Sequence, residues 1–284
     1  MGACSICGKP AGFLKSLHPE CEQRRLEEKR RRDEGAMRIA NSLVRAAHGK
    51  STIQSVENEL ATQARELNLN AAQRDLIIRF AWRQAVDVYL EDGALDEVEE
   101  NRLFQYCNHF RLDQDPDPQT NEYLLKLTKA GVIRDLREGK QPNRMDYVGS
   151  AMMNFQKNEY LIWAFPQTQY LETVKKRKSR GRGHGVNVRI AKGVYYRVGQ
   201  FESEPVEKLV LADRGTGQMF LTSKHIYFTS PNQSFRIAYR RIVSFDPHPD
   251  GITVMREAAT AKPQTFRNGD GWFTSNVIAN LDFE

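Results

Sequence analysis

Three of the chain's four cysteines and one histidine fall within eighteen residues, as Cys4, Cys7, His18 and Cys21 in the pattern C-x2-C-x10-H-x2-C. Thiolate and imidazole are donors that zinc favours, and a two-residue gap lets both members of a pair face one ion. Both pairs have that gap. Gly8 can take a left-handed turn after the first pair, and Pro10, Gly12 and Pro19 favour bent or extended backbone around the donors. The expectation is one structural Zn2+ per chain, held by these four residues. Catalytic zinc keeps an open fourth position, whereas four protein donors close the shell. Only Phe13, Leu14 and Leu17 could cap so small a module, so metal binding, on the order of 10–16 kcal/mol in such peptides, is what folds it.

A second chemically distinctive stretch is KKRKSRGRGHG. It carries Lys175, Lys176, Arg177, Lys178, Arg180 and Arg182 with no acid between them. Placed between two strands, it reads as an anion-binding loop, for lipid headgroups or nucleic-acid phosphates, or as a solvated hairpin tip. Near an anionic membrane each such charge contributes about 1 kcal/mol. On nucleic acid, phosphate contacts would make binding steeply salt-dependent. The run holds no aromatic residue for stacking on single strands.

Acidic residues gather in EDGALDEVEE. An EF-hand needs alternating oxygen ligands, which this stretch lacks. A turn followed by a helix cap accounts for it, with Asp96 as N-cap and Glu99 as its reciprocal partner. Enzyme signatures are missing. RGTGQM has no Walker lysine, and there is no G-x-S-x-G or H-E-x-x-H. His248 lies in DPHPDG, whose prolines and D-G pair spell a hairpin loop. The expectation is a protein without catalytic activity.

Four segments must position these groups. Residues 1–24 are the zinc knuckle. Residues 25–50 are a charged linker helix, with six basic and five acidic residues between Glu22 and Glu34 and an interruption at Gly35. Residues 51–140 have helical periodicity. Ile53, Val56, Leu60, Ala64 and Leu67 form one apolar face, and Ile77, Phe80, Ala81, Ala85, Val88 and Tyr89 the next. Leu103, Phe104, Cys107 and Phe110 form a third, with Cys107 as a small buried hydrophobe. Residues 150–284 are β-rich. Short strands separated by turns such as RGTG and SPNQ predict a barrel or sandwich. One helix closes it, with Trp272, Phe273, Val277, Ile278 and Leu281 on its apolar side. The fold class is therefore α+β and multidomain.

Two stretches resemble known families. VYLEDGALDEVEENRLFQY is similar to the centre of TerB-like domains of the tellurite-resistance type, where Asp92, Gly93, Leu95 and Glu99 match. That resemblance implies an all-α bundle and makes Asp92, Asp96 and Glu99 candidates for an acidic interaction or second metal site. LTSKHIYFTSPNQSFRIAYRRIVSFDPHPDGITVMR resembles bacterial PH-like and GRAM-like domains, which implies a β-barrel or sandwich closed by a helix. Together the resemblances imply a bacterial stress-response or phage-defence setting.

Charge is uneven along the chain. Residues 1–174 carry 24 Lys/Arg against 26 Asp/Glu, and residues 175–284 carry 18 against 10. An anionic partner therefore belongs with the second half. No apolar run is long enough to span a bilayer. No secretory leader pattern opens the chain, and Ile6 stands where a myristoylation motif wants Ser or Thr. Few cysteines at metal spacing fit a reducing cytosol. The reading is a cytoplasmic, non-catalytic adaptor or sensor, placed in the cytosol or peripherally at the inner membrane face. It would bind a protein partner and an anionic ligand. The alternatives are a nucleic-acid-binding protein using the knuckle and residues 175–182, and a hydrolase with an unrecognised site.

Overall fold

The computed structural model describes residues 2–11, 16–91, 95–114, 116–144, 154–191, 194–258 and 260–281, with backbone alone between 175 and 209. Among the described residues, five helices precede a curled seven-stranded antiparallel half-barrel sheet, and one helix comes after it. The chain divides into two compact units, Met1–Arg134 and Asp135–Glu284.

In the first unit, α1 (Pro19–Ala47), α2 (Ile53–Glu66), α3 (Ala71–Leu90) and α4 (Glu97–His109) precede α5 (Pro118–Arg137). Their starts obey the capping chemistry in the sequence. Thr52 accepts from the Ser55 amide, and Asn70 with Gln73 and Asp96 with Glu99 form reciprocal capping boxes. Gly49, at φ +68°, takes the left-handed turn that ends α1. Trp82 is the fully buried centre, and its Nε1–H donates to the Leu103 carbonyl at 3.0 Å.

Two helical expectations need correcting. Gly35 does not interrupt a helix, because α1 runs unbroken for 29 residues. Gly35 is instead buried where a Cβ would meet the Leu67 methyls, so its role is close helix approach. Phe80 and Val88 are exposed at 41% and 52%. The buried face of α3 is rotated onto Trp82 and Val86 and includes the Arg79 stem, whose guanidinium reaches Asp75 at 2.7 Å. In α1 the buried line runs through Ile39, Leu43, Ala46 and Ala47, while Met37 is exposed.

In the second unit, β1 (Leu161–Ala191) and β2 (Val194–Thr222) precede β3 (His225–Ser230), β4 (Gln233–Ala238), β5 (Ile242–His248), β6 (Gly251–Arg256) and β7 (Gln264–Arg267). The order across the sheet is β4-β3-β2-β1-β7-β6-β5. Alternation puts Phe165, Met219 and Phe228 on one face and Ala164, Phe220 and Tyr227 on the other. The helix α6 (Gly271–Ala279) packs on β5 and β6, and its Phe273 ring meets Trp163 and Phe165 edge-on. Phe273, Val277, Ile278 and Leu281 are buried as expected, but Trp272 is 57% exposed.

The RGTG stretch is not a turn between strands. Residues 214–217 lie within β2, and the irregularity there is absorbed by register shifts opposite, between Phe165 and Thr168 and between Gln169 and Leu171. The strand residues on either side of RGTG therefore belong to one long strand.

Candidate metal centre

Cys4, Cys7, His18 and Cys21 converge, and their four donor atoms lie within 4.8 Å of one another. The backbone explains the convergence. The Gly8 amide donates to the Cys4 carbonyl at 2.9 Å, closing a turn that Gly8 completes at φ +70°. The Cys4 amide in turn donates to the Lys9 carbonyl at 2.8 Å. His18 is the N-cap of α1, Pro19 comes next with φ already suited to the first turn, and Cys21 sits in that turn.

His18 is oriented from behind. Its Nε2 lies 2.9 Å from the Pro10 carbonyl and donates to it, leaving the Nδ1 lone pair toward Cys7 Sγ at 3.4 Å and Cys21 Sγ at 3.9 Å. Zinc bond lengths imply tetrahedral donor separations of about 3.6–3.8 Å, so this cluster is of the right size for one ion. The amides of Cys7 and then Ile6 pull the Cys4 thiol down to about 5. Burial, and then the Cys7 and Cys4 sulfurs, push the Cys21 thiol up to about 11. The Pro10 carbonyl and the neighbouring thiols raise His18. Crowded sulfurs that oppose each other's ionisation are what a dication would reconcile. Cys4 is buried and Cys7 exposed, and four protein donors leave no open position for substrate. The residues fit one structural zinc ion.

The other sequence-marked residues fall elsewhere. Asp92 lies outside the described residues. Asp96 Oδ1 accepts from the Glu99 amide at 2.7 Å, and Glu99 Oε2 accepts from the Asp96 amide at 3.1 Å. Both carboxylates thus serve the start of α4. Cys107 is fully buried, and burial pushes its thiol up to about 11. His248 sits at the β5–β6 hairpin, as its prolines suggested, with Nε2 2.8 Å from Thr253 Oγ1.

The basic run is not a loop. Lys175, Lys176, Arg177, Lys178, Arg180 and Arg182 all lie within β1. Beyond the residues that β7 and β3 engage, β1 and β2 pair only with each other, up to Ala191 opposite Val194. Glycines at 181, 183 and 185 suggested a loop, but an unbroken register carries through them. That register sets Arg177 opposite Glu207, Arg180 opposite Glu204 and Arg182 opposite Glu202. Residues 175–209 still carry ten Lys/Arg against three Glu, a net +7, while the whole chain carries +6. The remainder of the chain is therefore slightly acidic.

A polar centre that sequence reasoning missed surrounds Glu159. Its side chain is fully buried, and it accepts from Thr222, from Tyr227 at 2.9 Å and from His225 Nδ1 at 2.8 Å. A single Glu before an apolar strand carries no signature, and its side-chain partners lie more than sixty residues away.

No protein-family model, curated protein or solved structure matches the chain.

Proposed function

We propose that this chain is a non-catalytic adaptor or sensor that joins a protein partner to an anionic one. The observation that carries this reading is the concentration of the chain's whole net positive charge on the β1–β2 ribbon. Such a segment attracts polyanions, while a near-neutral remainder does not compete. The zinc knuckle contributes a metal-held surface at the head of α1. Leu76, Phe80 and Val88, exposed on α3, give the helical unit apolar area for a protein partner.

Seven antiparallel strands and a C-terminal helix support the PH-like and GRAM-like likeness of the second unit. The capping box ahead of α4 supports the TerB-like likeness of the first. The adaptor would act in the cytoplasm or at the inner face of a membrane, in a bacterial stress or defence setting. No helix among the described residues is long and apolar enough to cross a membrane.

One observation favours a second reading. The basic segment is a two-stranded ribbon, and the major groove of duplex DNA admits such a ribbon. The test compares the full chain with a variant in which all six basic residues from Lys175 to Arg182 are serine. Both are assayed on vesicles containing anionic lipid and on duplex DNA across a salt series. Loss of vesicle binding in the variant supports the adaptor reading. Duplex binding with a steep salt slope that the variant flattens supports the second. If wild type binds neither, both readings fail.

A further inference from the structure

A cavity of about 190 Å³ opens in the second unit, lined by Gln156, His225, Arg236, Arg240, Arg241 and Arg256 among others. The arginines come from four places in the chain: β4, two adjacent positions of the short 3-10 turn after it, and the end of β6. Nothing in their spacing distinguishes them, and the fold alone brings them together. Strand register puts Arg236 opposite Tyr227, on the face of the sheet away from α6. Arg256 stands opposite Ile242, the first residue of β5.

The cavity has four guanidinium groups and no carboxylate in its lining. Among the described residues, none of the four arginines forms an ion pair. This is unlike Arg79, Arg83, Arg134, Arg144, Arg214 and Arg267, which each reach an acid. The buried acid Glu159 accepts from Thr222, His225 and Tyr227, and through His225 it holds one wall of the cavity in place. Four like charges gathered without an ion-pair partner repel one another, and an anion relieves that cost.

We propose that this cavity binds a pyrophosphoryl group. Guanidinium pairs phosphate oxygens bidentately, so four forks suit two adjacent phosphoryl groups rather than one carboxylate. Two phosphoryl groups bring roughly three to four negative charges, matching the four arginines. A volume of 190 Å³ equals about six waters of liquid, which admits a pyrophosphoryl group but leaves the rest of a larger ligand outside. The site is separate from the β1–β2 ribbon and does not depend on it.

The experiment is titration of the full chain with inorganic pyrophosphate, read by calorimetry and thermal melting. Wild type is compared with Arg240→Ala/Arg241→Ala, with Arg236→Ala, and with the six-serine ribbon variant. All four arginines are exposed, so their removal leaves the core intact, and an unchanged melt without ligand verifies it. The expected result is binding in wild type and in the ribbon variant, and weakening of about tenfold or more in the arginine variants. A second arm uses phosphatidylcholine vesicles with and without a bisphosphorylated inositol lipid. Recruitment competed by pyrophosphate identifies a lipid headgroup as the source, and pyrophosphate binding without recruitment identifies a soluble ligand. Absence of pyrophosphate binding at millimolar concentration overturns the proposal. So does binding that the arginine variants leave unchanged, or binding lost only in the ribbon variant. That last result would credit the anion to the ribbon and leave the adaptor reading standing.

Discussion

The Pro10 carbonyl accepts a hydrogen bond from His18 Nε2 at 2.9 Å and so decides which ring nitrogen faces the sulfurs. An imidazole that donates from one nitrogen offers the lone pair of the other, and such backing is typical of zinc-bound histidine. The purified chain should therefore carry one zinc per molecule by elemental analysis. His18→Ala and Cys7→Ser should each weaken zinc retention by at least about tenfold in a chelator competition. Zinc should also be lost as pH falls, because protons compete for thiolate and imidazole. The helical core lies beyond the knuckle, at Ile39 and onward in α1. Chelation should thus remove little helical signal at 222 nm. A large helical loss would mean that the metal holds the bundle as well.

Glu159 should make the β unit acid-sensitive. Burial alone would raise its carboxyl, but hydrogen bonds from Thr222, the Gln156 amide, His225 and Tyr227 outweigh burial and hold it below its ordinary value. A carboxyl lowered on folding stabilises the native state above the unfolded value of about 4.3. That contribution fades as pH falls through the lower folded value. Glu159→Gln keeps the size but loses the charge-assisted acceptor, and should cost about 2 kcal/mol at pH 7 in denaturant unfolding. The gap between wild type and variant should narrow below about pH 4. A gap that stays constant with pH would show that packing, not charge, is at stake.

How far the sequence could be read depended on the range of the interaction. The Cys4, Cys7, His18 and Cys21 cluster was legible because both pairs are local and chemically rare. Helix starts at Asn70 and Asp96 were legible for the same reason, since capping acts over three residues. The strand framework was only half legible. Turns at 231–232 and 249–250 carry their own proline or glycine chemistry, so β3 to β6 came out as separate strands. The long β1–β2 ribbon did not, because pairing continues across glycine-rich, charged residues whose composition resembles a loop. Glu159 and the cavity arginines were illegible, because their grouping exists only once distant strands lie side by side.

Asp96 separates a capping role from a metal role. Its side chain takes the Glu99 amide, so Asp96→Ala should cost about 1 kcal/mol and Asp96→Asn almost nothing. Thermal melts with and without millimolar calcium or magnesium provide the check. If capping is the whole role, the ions leave the melting temperature unchanged. A rise seen in wild type and lost in Asp96→Asn would instead establish an acidic ion site.

Gly35 offers the sharpest contrast between the two ways of reading this chain. Taken from sequence as a break, it would separate a charged spacer from the helical segment after it, and any helix-forming residue there should stiffen the junction. In the structure it is a buried point where α1 approaches Leu67, just past the end of α2. A single methyl presses on the far end of a flexible side chain, which can turn away. Gly35→Ala also gains about 1 kcal/mol of helix propensity, so its net effect should be near zero. Gly35→Val adds two more methyls to the same space and should destabilise the bundle by about 1–3 kcal/mol. Urea unfolding monitored at 222 nm distinguishes the accounts. If valine is tolerated as well as alanine, Leu67 does not pack against this point and the close approach of α1 and α2 is wrong.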